Sequence, residues 1–107
     1  MRKILVVLAL VAIAPLVSAS EAPPVFVKKC KSCHGKDGTA TKAGLRRGSP
    51  ANLFEASRDK SKEELERIIK DGVFSPEGKK KMPPYKNKLN EGEIQTIIQY
   101  ILKRANL

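Results

Sequence analysis

Cys30-Lys31-Ser32-Cys33-His34 decides how this chain reads: two thiols and an imidazole fall within five consecutive positions. Residues three apart on a helical turn lie side by side, so Cys30 and Cys33 can both reach one edge of a flat macrocycle. His34 follows directly, and its ring can swing beneath the same group. The C-x-x-C-H spacing therefore reads as a covalent haem attachment site, with thioethers from Cys30 and Cys33 and an axial iron ligand from His34. C-x-x-C alone also occurs in redox disulfides and as half of a zinc site. Zinc needs four ligands, and this chain holds two Cys and one His in all. A thioredoxin-like motif sits among strands alternating with helices, and no such alternation flanks Cys30.

Residues 1–19 read as an export leader. Arg2 and Lys3 give a basic start, Ile4 to Val17 is apolar apart from Pro15, and Val17-Ser18-Ala19 ends in small residues that place cleavage after Ala19. The apolar run falls short of the ~20 residues that a spanning helix needs. Pro23 and Pro24 block helical continuation, and no Cys stands at the cleavage point to take a lipid. The expectation is a periplasmic protein without a membrane span, its single mature domain running from Ser20 to Leu107, 88 residues.

A chain of that size buries limited apolar surface and often needs a staple. With both cysteines committed to haem, no disulfide remains. The aromatics are Phe26, Phe54, Phe74, Tyr85 and Tyr100, with no Trp. A bound macrocycle would supply the missing slab, making cofactor and core one object. The full chain carries a net charge of +10, and losing Arg2 and Lys3 leaves +8. Such a balance attracts acidic partners. Nucleic acid is set aside, because no reading motif is present and an exported protein meets little of it.

The pattern predicts a first helix from Pro23 or Pro24 to Gly35, with proline tolerated in the first turn. Lys36 to Ser49 reads as a loop punctuated by glycines, and Leu53 and Phe54 are expected to pack under the haem. Ser61-Lys62-Glu63-Glu64 is a capping-box sequence. The helix after it carries Leu65, Ile68 and Ile69 on one face and stops at Gly72. Ser75 to Gly78 reads as a turn. Asn90 to Glu93 caps a last helix with an Ile94, Ile97, Ile98, Ile101, Leu102 stripe, which is plain core packing. No run reads as a strand. The fold class is all-α, three main helices and long loops.

The second axial ligand follows by elimination. The mature chain has no other His or Cys, and its only Met is Met82, within Lys81-Met82-Pro83-Pro84-Tyr85. A thioether is a soft ligand that suits haem iron and raises its potential. The plain alternative is a Met filling a gap in the core; a Lys amine or an open position are the others. The second ring N–H of His34 needs an acceptor, for which the Pro50 carbonyl is the candidate. Arg46 and Arg47 are candidates for pairing with haem propionates, or are solvated surface.

With haem motif, Met82 and helix order together, the chain resembles a small bacterial class I c-type cytochrome from Val25 to Leu102. Phe26 stands four residues before the first Cys, Met82-Pro83 follows the middle helix, and Tyr100 sits in the terminal helix where that family crosses first helix and last. Ala22 stands where the family has Gly. The resemblance implies a cytochrome c fold wrapped around one covalent haem c, ligated by His34 and Met82. It implies one-electron transfer between Fe(II) and Fe(III) and not an enzyme; a monomer is the default expectation for such a shuttle. Lys79, Lys80, Lys81, Lys86 and Lys88 flank Met82, and Lys28, Lys29 and Lys31 flank Cys30. Around an exposed haem edge these would steer redox-partner proteins with acidic docking surfaces; otherwise they are a solvated surface. The rival reading is a haem-based gas sensor or enzyme in which Met82 leaves the iron. A haem-free thiol or zinc module is the third.

Overall fold

The computed structural model describes residues 22–107. The expected leader and its cleavage after Ala19 lie outside these described residues.

The first helical stretch starts and ends where the sequence places it, but breaks in the middle. α1 spans Pro24–Lys29 with Pro at its first position, and α2 spans Lys31–His34. Cys30 lies between them at φ −112°, ψ −25°. There the Cys33 N–H turns to the Cys30 carbonyl (3.3 Å) and the Phe26 carbonyl takes the Cys30 N–H (2.8 Å). Gly35 ends α2 at φ 73°, a left-handed conformation that glycine adopts without strain. A Cβ at Gly35 would run into the Thr39 carbonyl.

One short helix lies within the Lys36–Ser49 stretch that reads as loop, and a second follows it. α3 spans Lys42–Arg46, capped by Thr41, whose hydroxyl accepts from the Gly44 N–H (3.1 Å). α4 spans Leu53–Ser57, capped by the Asn52 carboxamide oxygen, which accepts from Phe54 and Glu55 (3.0 Å each). α5 spans Lys62–Asp71 and ends at Gly72. Ser61 accepts from the Glu64 N–H (3.1 Å), but no returning bond from the Ser61 N–H to Glu64 is formed, so this capping box is half made. α6 spans Glu91–Ala105 and has the full box: Asn90 accepts from the Glu93 N–H (2.8 Å), and Glu93 accepts from the Asn90 N–H (3.0 Å).

The expectation of no strand is corrected in a small way. β1 (Val73–Phe74) and β2 (Lys80–Met82) pair antiparallel around the Ser75–Gly78 turn. The architecture remains helical.

α6 is the spine of the core. Ile94, Ile97, Ile98 and Ile101 are all buried, as are Phe26, Leu65, Ile69 and Leu89. Burying each such side chain contributes roughly 1.5–3 kcal/mol. α6 packs on α4, α5 and α1. Tyr100 links two of these partners: its ring lies edge-on to Phe26 at 4.9 Å and to Phe54 at 5.6 Å. Arg58 donates to the Ala105 carbonyl (3.1 Å), fixing the end of α4 on the end of α6. No described helix is long and apolar enough to cross a membrane.

Candidate functional site

The α1–α2 break, the loop after α3, α5 and β2 surround a cavity of about 700 Å³. Cys30, Cys33 and His34 line it from the α1–α2 turn, and Met82 lines it from β2. All four residues that the sequence singles out therefore meet at one site, although β2 follows α2 only after three intervening helices. Leu53, Leu65, Ile68 and Ile69 supply apolar wall. Phe54 does not line the cavity; it turns into the core against Tyr100 instead.

The turn holding the cysteines is braced by α3. Gly44 lies flat against the Cys33 carbonyl, where any Cβ would collide. The Thr41 N–H donates to that same carbonyl (3.0 Å), and the Thr41 hydroxyl donates to the Ser32 carbonyl (2.6 Å).

Electrostatics separate the possible chemistries. Cys30 and Cys33 form no disulfide with each other. Burial, with a smaller contribution from the neighbouring Cys33, pushes the Cys30 thiol up to about 12. A redox or nucleophilic cysteine needs the opposite shift, toward a stable thiolate. Among the described residues no three His, Cys, Asp or Glu side chains gather into a metal-binding group, so the zinc alternative lacks its donor set.

Burial also lowers the pKa of His34, favouring the neutral ring. Its Nδ1 lies 3.3 Å from the Ser49 hydroxyl, and that hydroxyl donates to the Pro50 carbonyl (3.1 Å). With its own proton on Pro50, Ser49 accepts from Nδ1–H. Nε2 is then left with a free lone pair. The expected Pro50 acceptor is thus reached through Ser49 rather than directly, which is a correction to the sequence reading. A hydroxyl next to a proline gave no signal for this relay.

Four cations reach the cavity lining, Lys29, Arg47, Lys60 and Lys81, and no carboxylate does. Of the two arginines singled out, Arg47 lines the cavity and Arg46 does not. Both line a neighbouring groove with Lys79, Lys80 and Lys81, and Glu77 is the one acid there. Groove and cavity share Arg47, Gly48 and Lys81 at their common rim.

The family model described as cytochrome c oxidase, cbb3-type, subunit III matches residues 18–101. The chain belongs to this family. Among solved structures, the KustC0563 c-type cytochrome is 28% identical, with a TM-score of 0.60 over 73% of this chain and 89% of that one. A tyrosine-to-phenylalanine mutant of Kustc0563 is 30% identical, with a TM-score of 0.60 over 73% and 90%. The protein is accordingly a small class I c-type cytochrome with covalently bound haem c.

The cytochrome's cavity suits that group. A haem is an apolar disc with two carboxylates, and the lining offers an apolar wall with cations and no acid. Two thiols and a neutral imidazole with an available lone pair stand in the same wall. The helical cytochrome c fold is as the sequence implies.

Tyr85, which the sequence reading did not single out, also lines the cytochrome's cavity. Its N–H donates to the Ile69 carbonyl (3.0 Å) and its hydroxyl to the Lys29 carbonyl (3.1 Å). Burial raises its phenol pKa, so the hydroxyl stays a donor. The available signal was a tyrosine directly after the Pro83-Pro84 pair that follows Met82.

Proposed function

We propose that this cytochrome is a periplasmic one-electron carrier whose haem is tethered by Cys30 and Cys33 and ligated axially by His34 and Met82. The observation that carries this reading is that Met82, from β2, lines the same cavity as the Cys30–His34 turn. His34 is the only His of the chain, and Met82 the only Met beyond the initiator.

The haem, when bound, supplies one-electron exchange between Fe(II) and Fe(III). The chain's own residues do the rest. Cys30 and Cys33 hold the group in one orientation. Ser49 accepts a hydrogen bond from the Nδ1–H of His34 and so leaves the Nε2 lone pair for the cavity. Met82 would supply the second iron ligand, which would leave no open position for a substrate. Leu65, Ile68 and Ile69 exclude water on one side. Arg47 and Lys60 are the candidates for the two propionates; Lys60 is already drawn inward, donating to the Ala56 carbonyl (2.7 Å).

The groove of Arg46, Arg47, Lys79, Lys80 and Lys81 meets the cavity at its rim. We read it as the face where a redox partner with an acidic surface docks, bringing that partner beside the cofactor. Long-range attraction of this kind raises association rates more than affinity. The carrier acts as a monomer in this reading.

A potentiometric titration of the matured protein tests the assignment. The expected result is a single one-electron step that moves to lower potential in Met82→His, because the thioether ligand favours the reduced iron. An unchanged potential in Met82→His would show that Met82 is not a ligand.

A further inference from the structure

The hydroxyl of Tyr85 bonds a carbonyl that the first helix has given up. At the Cys30 break, the Cys33 N–H goes to the Cys30 carbonyl and not to Lys29 four positions back. The Lys29 carbonyl instead receives the Tyr85 hydroxyl at 3.1 Å. The kink that turns Cys30 and Cys33 to the cavity thus also creates the acceptor that Tyr85 occupies.

Between Tyr85 and Met82 stand Pro83 and Pro84, whose rings fix φ. With φ fixed at both prolines, the segment has little freedom to absorb a movement of Tyr85 before Met82. On the other side the segment presses against the end of α5. A Cβ at Gly72 would collide with the Met82 carbonyl and the Pro84 nitrogen. Past Tyr85 the chain is tied again: Lys86 N–H to the Lys70 carbonyl (3.2 Å), and Leu89 N–H to the Tyr85 carbonyl (2.9 Å). Of these ties, only the Tyr85 hydroxyl reaches the end of α1, one residue before Cys30.

We propose that Tyr85 is a positioning residue: its hydroxyl fastens the Met82 segment to the cysteine-bearing turn and so sets where the Met82 sulfur stands in the cavity. The fastening stands on the hydrogen bonds alone. Its consequence for the sulfur rests on Met82 being the axial ligand. The tether side and the ligand side of the haem pocket then share one strut, and loosening it frees the sulfur without unfolding the helices.

Tyr85→Phe in the haem-loaded protein keeps the ring and removes only the hydroxyl. Amide hydrogen exchange reads the fastening. Exchange at Tyr85, Lys86 and Leu89 is expected to quicken roughly five-fold, the size of one lost hydrogen bond, with the α6 amides unchanged. Unchanged exchange at those three amides overturns the fastening. The weak sulfur–iron band of the ferric protein reads the ligand. In Tyr85→Phe it should bleach at a lower denaturant concentration than in the wild type, before the helical circular dichroism falls. A band as persistent as in the wild type overturns the positioning of the sulfur. A wild type with no such band overturns the ligation reading instead, and exchange still decides the fastening. A Tyr85→Phe chain that takes up no haem overturns the proposal too, since it gives the hydroxyl no part in attachment.

Discussion

The Tyr100 ring meets the Phe26 ring edge-on, with centroids 4.9 Å apart and planes at 62°, so the last helix crosses the first through one aromatic pair. Phe26 is wholly buried, and the Tyr100 hydroxyl is buried without a hydrogen-bond partner among the described residues. The two side chains of this contact should therefore respond oppositely to trimming. Phe26→Ala leaves a cavity and is expected to cost about 3–5 kcal/mol. Tyr100→Phe removes an unsatisfied hydroxyl and is expected to be neutral or to stabilise by up to about 1 kcal/mol. Denaturant unfolding of the haem-loaded variants checks both; a clearly destabilised Tyr100→Phe would mean that the hydroxyl has a partner.

The haem-free chain should be largely unfolded. A cavity of about 700 Å³ runs between α2, α5 and β2, and of these only α5 packs extensively on α6. Chains this small have little apolar surface in reserve. Calorimetry of protein made without haem attachment is expected to show no cooperative transition. A sharp one would mean that α6 and its partners form a core without the cofactor.

Much of this was legible beforehand, and the parts that were not have a common cause. Cys30, Cys33, His34 and Met82 could be picked out because each is chemically scarce in this chain. The boundaries of α5 and α6 could be read because Ser61 and Asn90 cap runs long enough to show a helical period. α3 and α4 have five residues each, too short to be stable alone. They exist because Gly44 docks on the Cys33 carbonyl and Asn52 caps Phe54, contacts with no periodicity. The β1–β2 ribbon is two residues against three, and both β1 side chains are exposed, so no alternation marks it. Ser49 and Tyr85 act through backbone carbonyls, at Pro50 and Lys29, and a carbonyl leaves no trace in the choice of residue.

Lys70 bridges Glu66 (2.7 Å) and Glu91 (2.9 Å), joining α5 to the start of α6. The Lys70 bond, helped by the Gln95 side chain, holds the Glu91 carboxyl below its ordinary value of 4.5. The folded pKa is thus lower than the unfolded one. The stabilisation is complete above about pH 4.5 and is lost as pH falls through the lowered folded value. Glu91→Gln should flatten that acid limb, with a small change at neutral pH because the bridge is exposed. Melting temperatures against pH for the two proteins check this; parallel acid limbs would contradict it.

Charge in the α3–β2 groove should set the rate of partner encounter. Lys80→Glu, on an exposed strand position, reverses one charge without touching the cavity lining. Reduction by an acidic redox partner at low salt is expected to slow about ten-fold, and the two proteins should converge as salt rises. Rates that ignore both the substitution and ionic strength would rule the groove out as the docking face.

The most direct test of the central claim is the optical spectrum of the matured protein, oxidised, reduced, and reduced under carbon monoxide. Ligation by His34 and Met82 predicts a c-type spectrum with the weak ferric sulfur–iron band. The reduced spectrum should be unchanged by carbon monoxide, and Met82→Ala should both lose the band and bind the gas. A wild type that lacks the band or takes up carbon monoxide would contradict the carrier reading and favour a sensor or enzyme with an open iron site.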